Sequence, residues 1–224
     1  MLFLSYIIKA CLVARDVLFD LIFPIRCQGC GDYGELLCAA CLADYKSFLR
    51  VRKIELDVDE GLDAVYVVAD FKHKMTQKLI KNYKYNLVRD IGDIFVLCLN
   101  EKLVDVVLFR QADLVTSVPL HPRRLRWRGF DQAAMLGSGF ADFYRIKFLP
   151  ILVRTRYTEP QARLGKLVRL TNISNCFSVN YEVEGTTIWL IDDVVTSGAT
   201  LSACAIALKL AGAKRVYGLC LAHG

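Results

Sequence analysis

Short apolar runs alternate along this chain with longer stretches in which apolar residues recur at helical spacing. Asp63-Ala-Val-Tyr-Val-Val-Ala69, the segment from Asp113 that ends at Pro119, Ile188-Trp-Leu-Ile191 and Arg215-Val-Tyr-Gly-Leu-Cys-Leu221 have the β-branched and aromatic content of buried strands. Between them, Ile91, Ile94, Phe95, Cys98 and Leu99 share one helical face that reads as core, and Leu201 to Leu210 form an Ala/Leu-rich helix that Ala211-Gly212-Ala213 stops. Leu42 to about Arg50 is expected to be a short helix, and Phe71 to Asn86 to be helical in part. Strands alternating with helices predict an α/β domain, a mostly parallel sheet flanked by helices. The acidic stretch Glu55 to Glu60 marks a boundary, giving an N-terminal helix and cysteine module over 1–55 and the α/β domain over 56–224.

The first 23 residues are apolar, but Lys9, Arg15, Asp16 and Asp20 interrupt them. No uncharged run approaches the ~20 residues a membrane span requires, and no signal-peptide pattern is visible. An amphipathic helix docked on the protein is expected, with peripheral membrane contact as the alternative. The length of 224 residues and 54% apolar content support one sizeable core plus a small appendage. A formal charge of +6 suits polyanions, whether phosphate ligands or nucleic acid. The cysteines number nine, an odd count, and five lie singly, which is the pattern of a reducing compartment and predicts a cytoplasmic protein.

The other four form two knuckles, Cys27-x2-Cys30 and Cys38-x2-Cys41, with Gly29, Gly31 and Gly34 permitting tight turns. Four thiolates aimed at one point predict a structural zinc site of zinc-ribbon type with no open position for substrate; iron is the other metal this set can hold.

The most informative strand stops at two adjacent acids, Asp192 and Asp193, followed by Val194-Val-Thr-Ser-Gly-Ala-Thr200 and a helix. Backbone N–H groups of Thr196 to Thr200 would stand at a helix N-terminus, where orphan donors and the positive dipole end favour a phosphate. Carboxylates accept hydrogen bonds from ribose hydroxyls. Acids beside an anion site therefore predict a ribose 5-phosphate unit as ligand. The second informative stretch is Asp113 to Ala133, a strand ending at Pro119 and then a loop with Arg123, Arg124, Arg126 and Arg128 before a helix near Asp131. Its guanidinium groups suit a pyrophosphate, or are simply a basic surface loop. Lys72, Lys74, Lys78, Lys81 and Lys84 with Tyr83 and Tyr85 have two readings: a basic, aromatic surface for single-stranded nucleic acid, or a solvated helix whose tyrosines pack inward. Arg163, Lys166 and Arg169 lie in a basic linker between Thr158 and Phe177, either a flap over the site or a connector.

The run Asp192 to Thr200 closely resembles the PRPP-binding motif of type I phosphoribosyltransferases. Val118-Pro-Leu-His-Pro-Arg-Arg124, Arg128-Gly-Phe-Asp-Gln132, Thr158-Glu-Pro-Gln161, Arg169-x-x-Asn172 and Phe177 are similar in order and spacing to the ComF family, which joins a cysteine zinc module to a phosphoribosyltransferase domain and is associated with competence and DNA uptake. Asp131 stands where that family usually has Asn, and His73 where a Gly-containing turn is common. The resemblance implies Mg²⁺-bound PRPP on Pro119, Leu120, His121, Arg123, Arg124, Val194, Val195, Thr196, Ser197, Gly198, Ala199 and Thr200, with Asp192 and Asp193 as the catalytic acids. It implies phosphoribosyl transfer to an acceptor that the residues leave open among a nucleobase, an amine and pyrophosphate itself. The alternative is a non-catalytic PRPP sensor that binds single-stranded DNA. Competence proteins at the inner membrane are the implied protein partners.

Overall fold

The computed structural model describes residues 24–86, 88–104, 111–155 and 176–224. The expected N-terminal helix and most of the basic linker, including Thr158 to Asn172 of the family motifs, lie outside the described residues. The chain divides into two compact units, one ending at Ser47 and one running from Phe48 to Gly224.

The first unit holds the cysteine knuckles and leads into helix α1 (Ala39–Phe48). Gly31 and Gly34 have φ of 87° and 113°, the left-handed conformation that lets the chain double back without strain on a Cβ. Arg26 and Tyr33 form an isolated antiparallel bridge across this turn.

The second unit contains a six-stranded sheet. In chain order its strands and helices are β1 (Arg52–Ile54), β2 (Ala64–Asp70), α2 (Lys74–Tyr85), α3 (Ile91–Leu103), β3 (Leu114–Ser117), α4 (Pro122–Arg128), α5 (Gln132–Tyr144) and β4 (Lys147–Phe148). Then follow β5 (Leu152–Arg154), β6 (Phe177–Val179), β7 (Thr187–Val195), α6 (Ala199–Leu210) and β8 (Arg215–His223). The sheet order is β1-β2-β8-β7-β3-β4, and β5 pairs with β6 in a separate two-stranded ribbon. All pairings in the main sheet are parallel except β1 with β2. The α/β class and the mostly parallel sheet therefore stand as the apolar pattern predicts. β1, N-terminal to the expected 55/56 boundary, is an edge strand of this sheet.

β7 is central, hydrogen-bonded to β8 on one side and β3 on the other. Ile188, Trp189, Leu190 and Ile191 are all buried, because helices cover both faces of a parallel sheet and no strand residue there meets water. Trp189 packs against Phe140 of α5 and stacks on Tyr217 of β8, while Ile188 and Leu190 join Cys204 and Leu208 of α6 on the other face. Cys98, Cys176, Cys204 and Cys220 are buried, as small core hydrophobes should be. Tyr83 of α2 is fully buried against Phe95 and Phe130. Among the described residues, no helix is long and apolar enough to cross a membrane.

Candidate functional site

Strand order reverses at one place. From β3 the chain passes through α4 and α5 to β4 on one side; from β7 it passes through α6 to β8 on the other. The crevice outside the carboxyl ends of β3 and β7 is thus a topological switch point, where open α/β sheets bind ligands. The register aligns Ser117 with Ile191, so the residues following each strand, 118–121 and 192–198, emerge side by side. Sequence reasoning singled out both segments, and the fold brings them together.

Asp192 and Asp193 lie at the end of β7. Strand alternation sends them to opposite faces, Asp193 toward the α2 and α5 side and Asp192 toward α6. Their backbone ties them together, since the Asp193 N–H donates to Asp192 Oδ1 at 2.8 Å. Lys84, from the last turn of α2, places Nζ 2.7 Å from Asp193 Oδ1. Burial, and next the charge of Asp193, push the Asp192 carboxyl up to about 8, with Lys84 pulling the other way.

After Val195 the chain turns through Thr196, Ser197 and Gly198 into α6. Gly198 caps the helix with φ 84°, and a Cβ built there would come within 2.3 Å of the Val58 carbonyl oxygen. Only glycine fits. The acidic segment 55–60 crosses the turn as a strap: Val58 N–H donates to Ser197 O at 3.1 Å, and Ser202 Oγ donates to Glu60 O at 2.7 Å. The first N–H groups of α6 have no acceptor within the helix, by the geometry of any α-helix start, and they face the crevice end of β7.

The arginine segment is not the loop the sequence suggested. It forms α4, because Pro122 occupies the first turn, where its missing N–H costs nothing, and His121 Nδ1 accepts from Arg123 N–H at 3.2 Å. Gly129, at φ 73°, ends the helix. The four arginines diverge: Arg123, Arg124 and Arg126 are exposed, whereas Arg128 is buried, donates to Gln132 Oε1 at 2.9 Å and lies 5.5 Å from the Tyr85 ring centre. Arg128 is therefore a structural residue and does not share a surface with the other three. Burial, then the charges of Arg154, Arg123, Arg124 and Arg126, hold His121 below its ordinary pKa.

Asp131, to which the sequence reading gave no role, organises this corner. Its Oδ1 accepts from Ala134 N–H at 3.0 Å, capping α5, and its Oδ2 accepts from Leu120 N–H at 3.2 Å, fixing the loop after β3. Burial raises its pKa against those two donors. The capping half of this role was readable from Asp131 preceding Gln132-Ala-Ala; the link to Leu120 was not.

Of the lysines, Lys72, Lys74, Lys78 and Lys81 are exposed. Tyr85 is 54% exposed and meets Trp127, 59% exposed, with ring centres 6.1 Å apart. Trp127 escaped sequence reasoning, although a tryptophan inside a short, strongly basic helix with little apolar company was the available signal.

In the first unit, the Sγ atoms of Cys27, Cys30, Cys38 and Cys41 all lie within 4.8 Å of one another. Cys30 and Cys38 are 3.8 Å apart, and a tetrahedron with metal–sulfur bonds of ~2.3 Å has edges of about that length. Burial opposes ionisation of Cys27, but N–H groups of Cys38, Cys30 and Gly29 outweigh it and lower that thiol to about 6. Four thiolates this close repel strongly unless a cation sits among them, so the cluster fits a metal ion.

No protein-family model matches the chain. It is 34% identical over 110 residues to the DNA utilization protein YhgH of Escherichia coli, an alignment covering 49% of this chain and 48% of that protein. It is 31% identical over 113 residues to competence protein F of Haemophilus influenzae, covering 48% and 49% of the two. A ribose-phosphate pyrophosphokinase of Halalkalibacterium halodurans is 24% identical over 157 residues, 69% of this chain and 48% of that one. The chain thus spans about half the length of the relatives it matches. Over about half of its length the chain is thus similar to DNA utilization and competence proteins, and its motif order from Val118 to Phe177 resembles that of the ComF family.

Proposed function

We propose that this chain binds Mg²⁺-PRPP and transfers its phosphoribosyl group to an acceptor, in a role linked to DNA handling during competence. The observation that carries this reading is the meeting of an acidic pair with the N-terminus of α6 at the β3/β7 switch point. The 5-phosphate would take the N–H groups of Thr196 to Thr200, and the ribose hydroxyls would donate to Asp192 and Asp193. Pyrophosphate would face His121, Arg123 and Arg124, with Pro119 and Leu120 shaping that side. As pyrophosphate leaves, positive charge grows on the ribose ring, so the carboxylates and the exposed arginines stabilise opposite ends of the separating charge. Mg²⁺ would arrive with PRPP and offset charge on its phosphates. The four cysteines would hold a structural zinc, and their reducing-compartment pattern favours the cytoplasm. The ribose-phosphate chemistry in one relative's name agrees with the ligand, and the names of two others agree with DNA handling and competence. Pyrophosphate release measured with a panel of nucleobases, amines and oligonucleotides tests the transfer. Release that depends on one acceptor supports it; no release with any acceptor, despite PRPP binding, favours a second reading.

That reading is a non-catalytic PRPP-dependent binder of single-stranded DNA, and one observation favours it. The exposed pair joins Tyr85 of α2 to Trp127 of α4, whose Arg123, Arg124 and Arg126 are also exposed, so stacking and phosphate neutralisation are available together. DNA binding that weakens with salt and is lost in Trp127→Ala would support it.

A further inference from the structure

The helix α2 carries four lysines, and Lys74, Lys78 and Lys81 reach solvent. Lys84 behaves differently. Its side chain is 16% exposed and that of Asp193 is 11% exposed, at a separation of 2.7 Å. The backbone that presents it is fixed: Leu79, Ile80 and Tyr83 of α2 are buried, and Tyr83 Oη donates to the Gln132 carbonyl at 3.1 Å. Lys84 is therefore aimed into the crevice by the packing of its own helix. On the far side of the pair, Asp193 N–H holds Asp192 Oδ1, so whatever fixes Asp193 also fixes its neighbour.

The charges around this point are unbalanced. Asp192 and Asp193 of β7 and Asp131 at the start of α5 are three carboxyls that act on one another, with Tyr83 of α2, Cys204 of α6 and Cys220 of β8 packed nearby. Arg154 of β5 acts on this neighbourhood from farther away. Among the described residues, Lys84 is the cation in ion-pair contact with the group. Opposite charge at contact distance favours the ionised acids, and its loss would leave the carboxyls to repel one another in a shielded place.

We propose that Lys84 is a positioning residue of the site: by holding Asp193 it keeps the acidic pair aimed where the hydroxyls of a ribose phosphate would bind. This rests on the ribose-phosphate reading above. It removes Lys84 from the DNA-facing lysines and gives α2 a part in ligand binding.

The test is calorimetric titration of the full chain with ribose 5-phosphate across pH ~6 to ~10. Wild-type affinity rises with pH as Asp192 ionises. In Lys84→Met the midpoint of that rise moves up by about one unit or more, the usual effect of removing an opposite charge at contact distance. Lys84→Gln, which keeps a hydrogen-bond donor and lowers the risk of misfolding, moves it the same way. Lys84→Arg leaves it in place, as does Lys81→Met on the exposed face. The ligand's own phosphate ionises near pH ~6 in every variant and cancels from the comparison. A midpoint unchanged in both neutral variants while wild type binds overturns the role of Lys84 alone. Absence of wild-type binding at every pH overturns the ribose-phosphate reading and this inference with it.

Discussion

Replacing Gly198 by alanine separates two costs that usually travel together. The residue has φ 84°, a conformation that disfavours any Cβ by roughly 1–2 kcal/mol. Gly185 has φ 69°, and a Cβ there would meet nothing within 4 Å, so Gly185→Ala bears only the conformational cost. At Gly198 the new Cβ would lie 2.3 Å from Val58 O and 2.6 Å from Leu56 Cδ1. Ordinary contact begins near ~3.5 Å, so the strap over residues 56–60 must retreat by about 1 Å. That movement breaks the Val58 N–H to Ser197 O hydrogen bond and strains that from Ser202 Oγ to Glu60 O, worth ~0.5–1.5 kcal/mol each. Gly198→Ala is expected to cost about 2–4 kcal/mol and Gly185→Ala about 1–2 kcal/mol in urea unfolding at unchanged m-value. The folded Gly198→Ala protein should also lose affinity for ribose 5-phosphate, because the turn that presents the N–H groups has moved, while Gly185→Ala should bind normally. Equal costs for the two substitutions would refute the strap as a support of the phosphate turn.

Protein purified without added metal should contain one zinc per chain, and replacing any one of Cys27, Cys30, Cys38 or Cys41 by Ser should unfold the small unit; metal-free, folded protein by elemental analysis and circular dichroism contradicts this. Asp193→Asn should destabilise by about 3 kcal/mol by stranding Lys84, and Asp193→Asn with Lys84→Met should recover most of the loss, so additive costs in that double-mutant cycle rule out a net ion pair. Asp192 is a carboxyl whose folded pKa, about 8, lies above its unfolded value, so the folded state binds the extra proton and stability contributed at low pH is lost as pH rises from ~4 through ~8. Asp192→Asn should flatten that decline in melting temperature; a decline of the same size in the variant would show that other groups cause it.

The strands were legible because burial on both sheet faces demands uninterrupted apolar runs, as at Ile188 to Ile191. The acidic pair and the turn after it were legible for a local reason: strand, acids, small residues and helix follow one another within Thr187 to Leu201. Strand order was not legible, since nothing near Asp113 encodes that β3 will lie beside β7 and not beside β2. The helix α4 was missed because its residues present no apolar face; its signals were Pro122 after a capping residue and Gly129 at its end. Lys84 was grouped with its neighbours for a related reason. Lys81, Lys84 and Tyr85 lie three and four residues apart, one helical stripe in sequence, and only the distant end of β7 draws Lys84 out of solvent. Tyr83 packs inward, as the solvated-helix reading required, while Tyr85 stays exposed beside Trp127, with the buried Arg128 guanidinium 5.5 Å from its ring centre.

The central claim is that the β3/β7 crevice binds a ribose phosphate through the acidic pair and the α6 N-terminus. Isothermal titration of the full chain with PRPP and Mg²⁺ tests it most directly. The account predicts one site per chain, competition by ribose 5-phosphate, and an affinity loss of about tenfold or more in Asp193→Asn, the cost of a ribose hydroxyl left without its acceptor. Heat of dilution alone, or binding that ribose 5-phosphate does not displace and Asp193→Asn does not weaken, would contradict it.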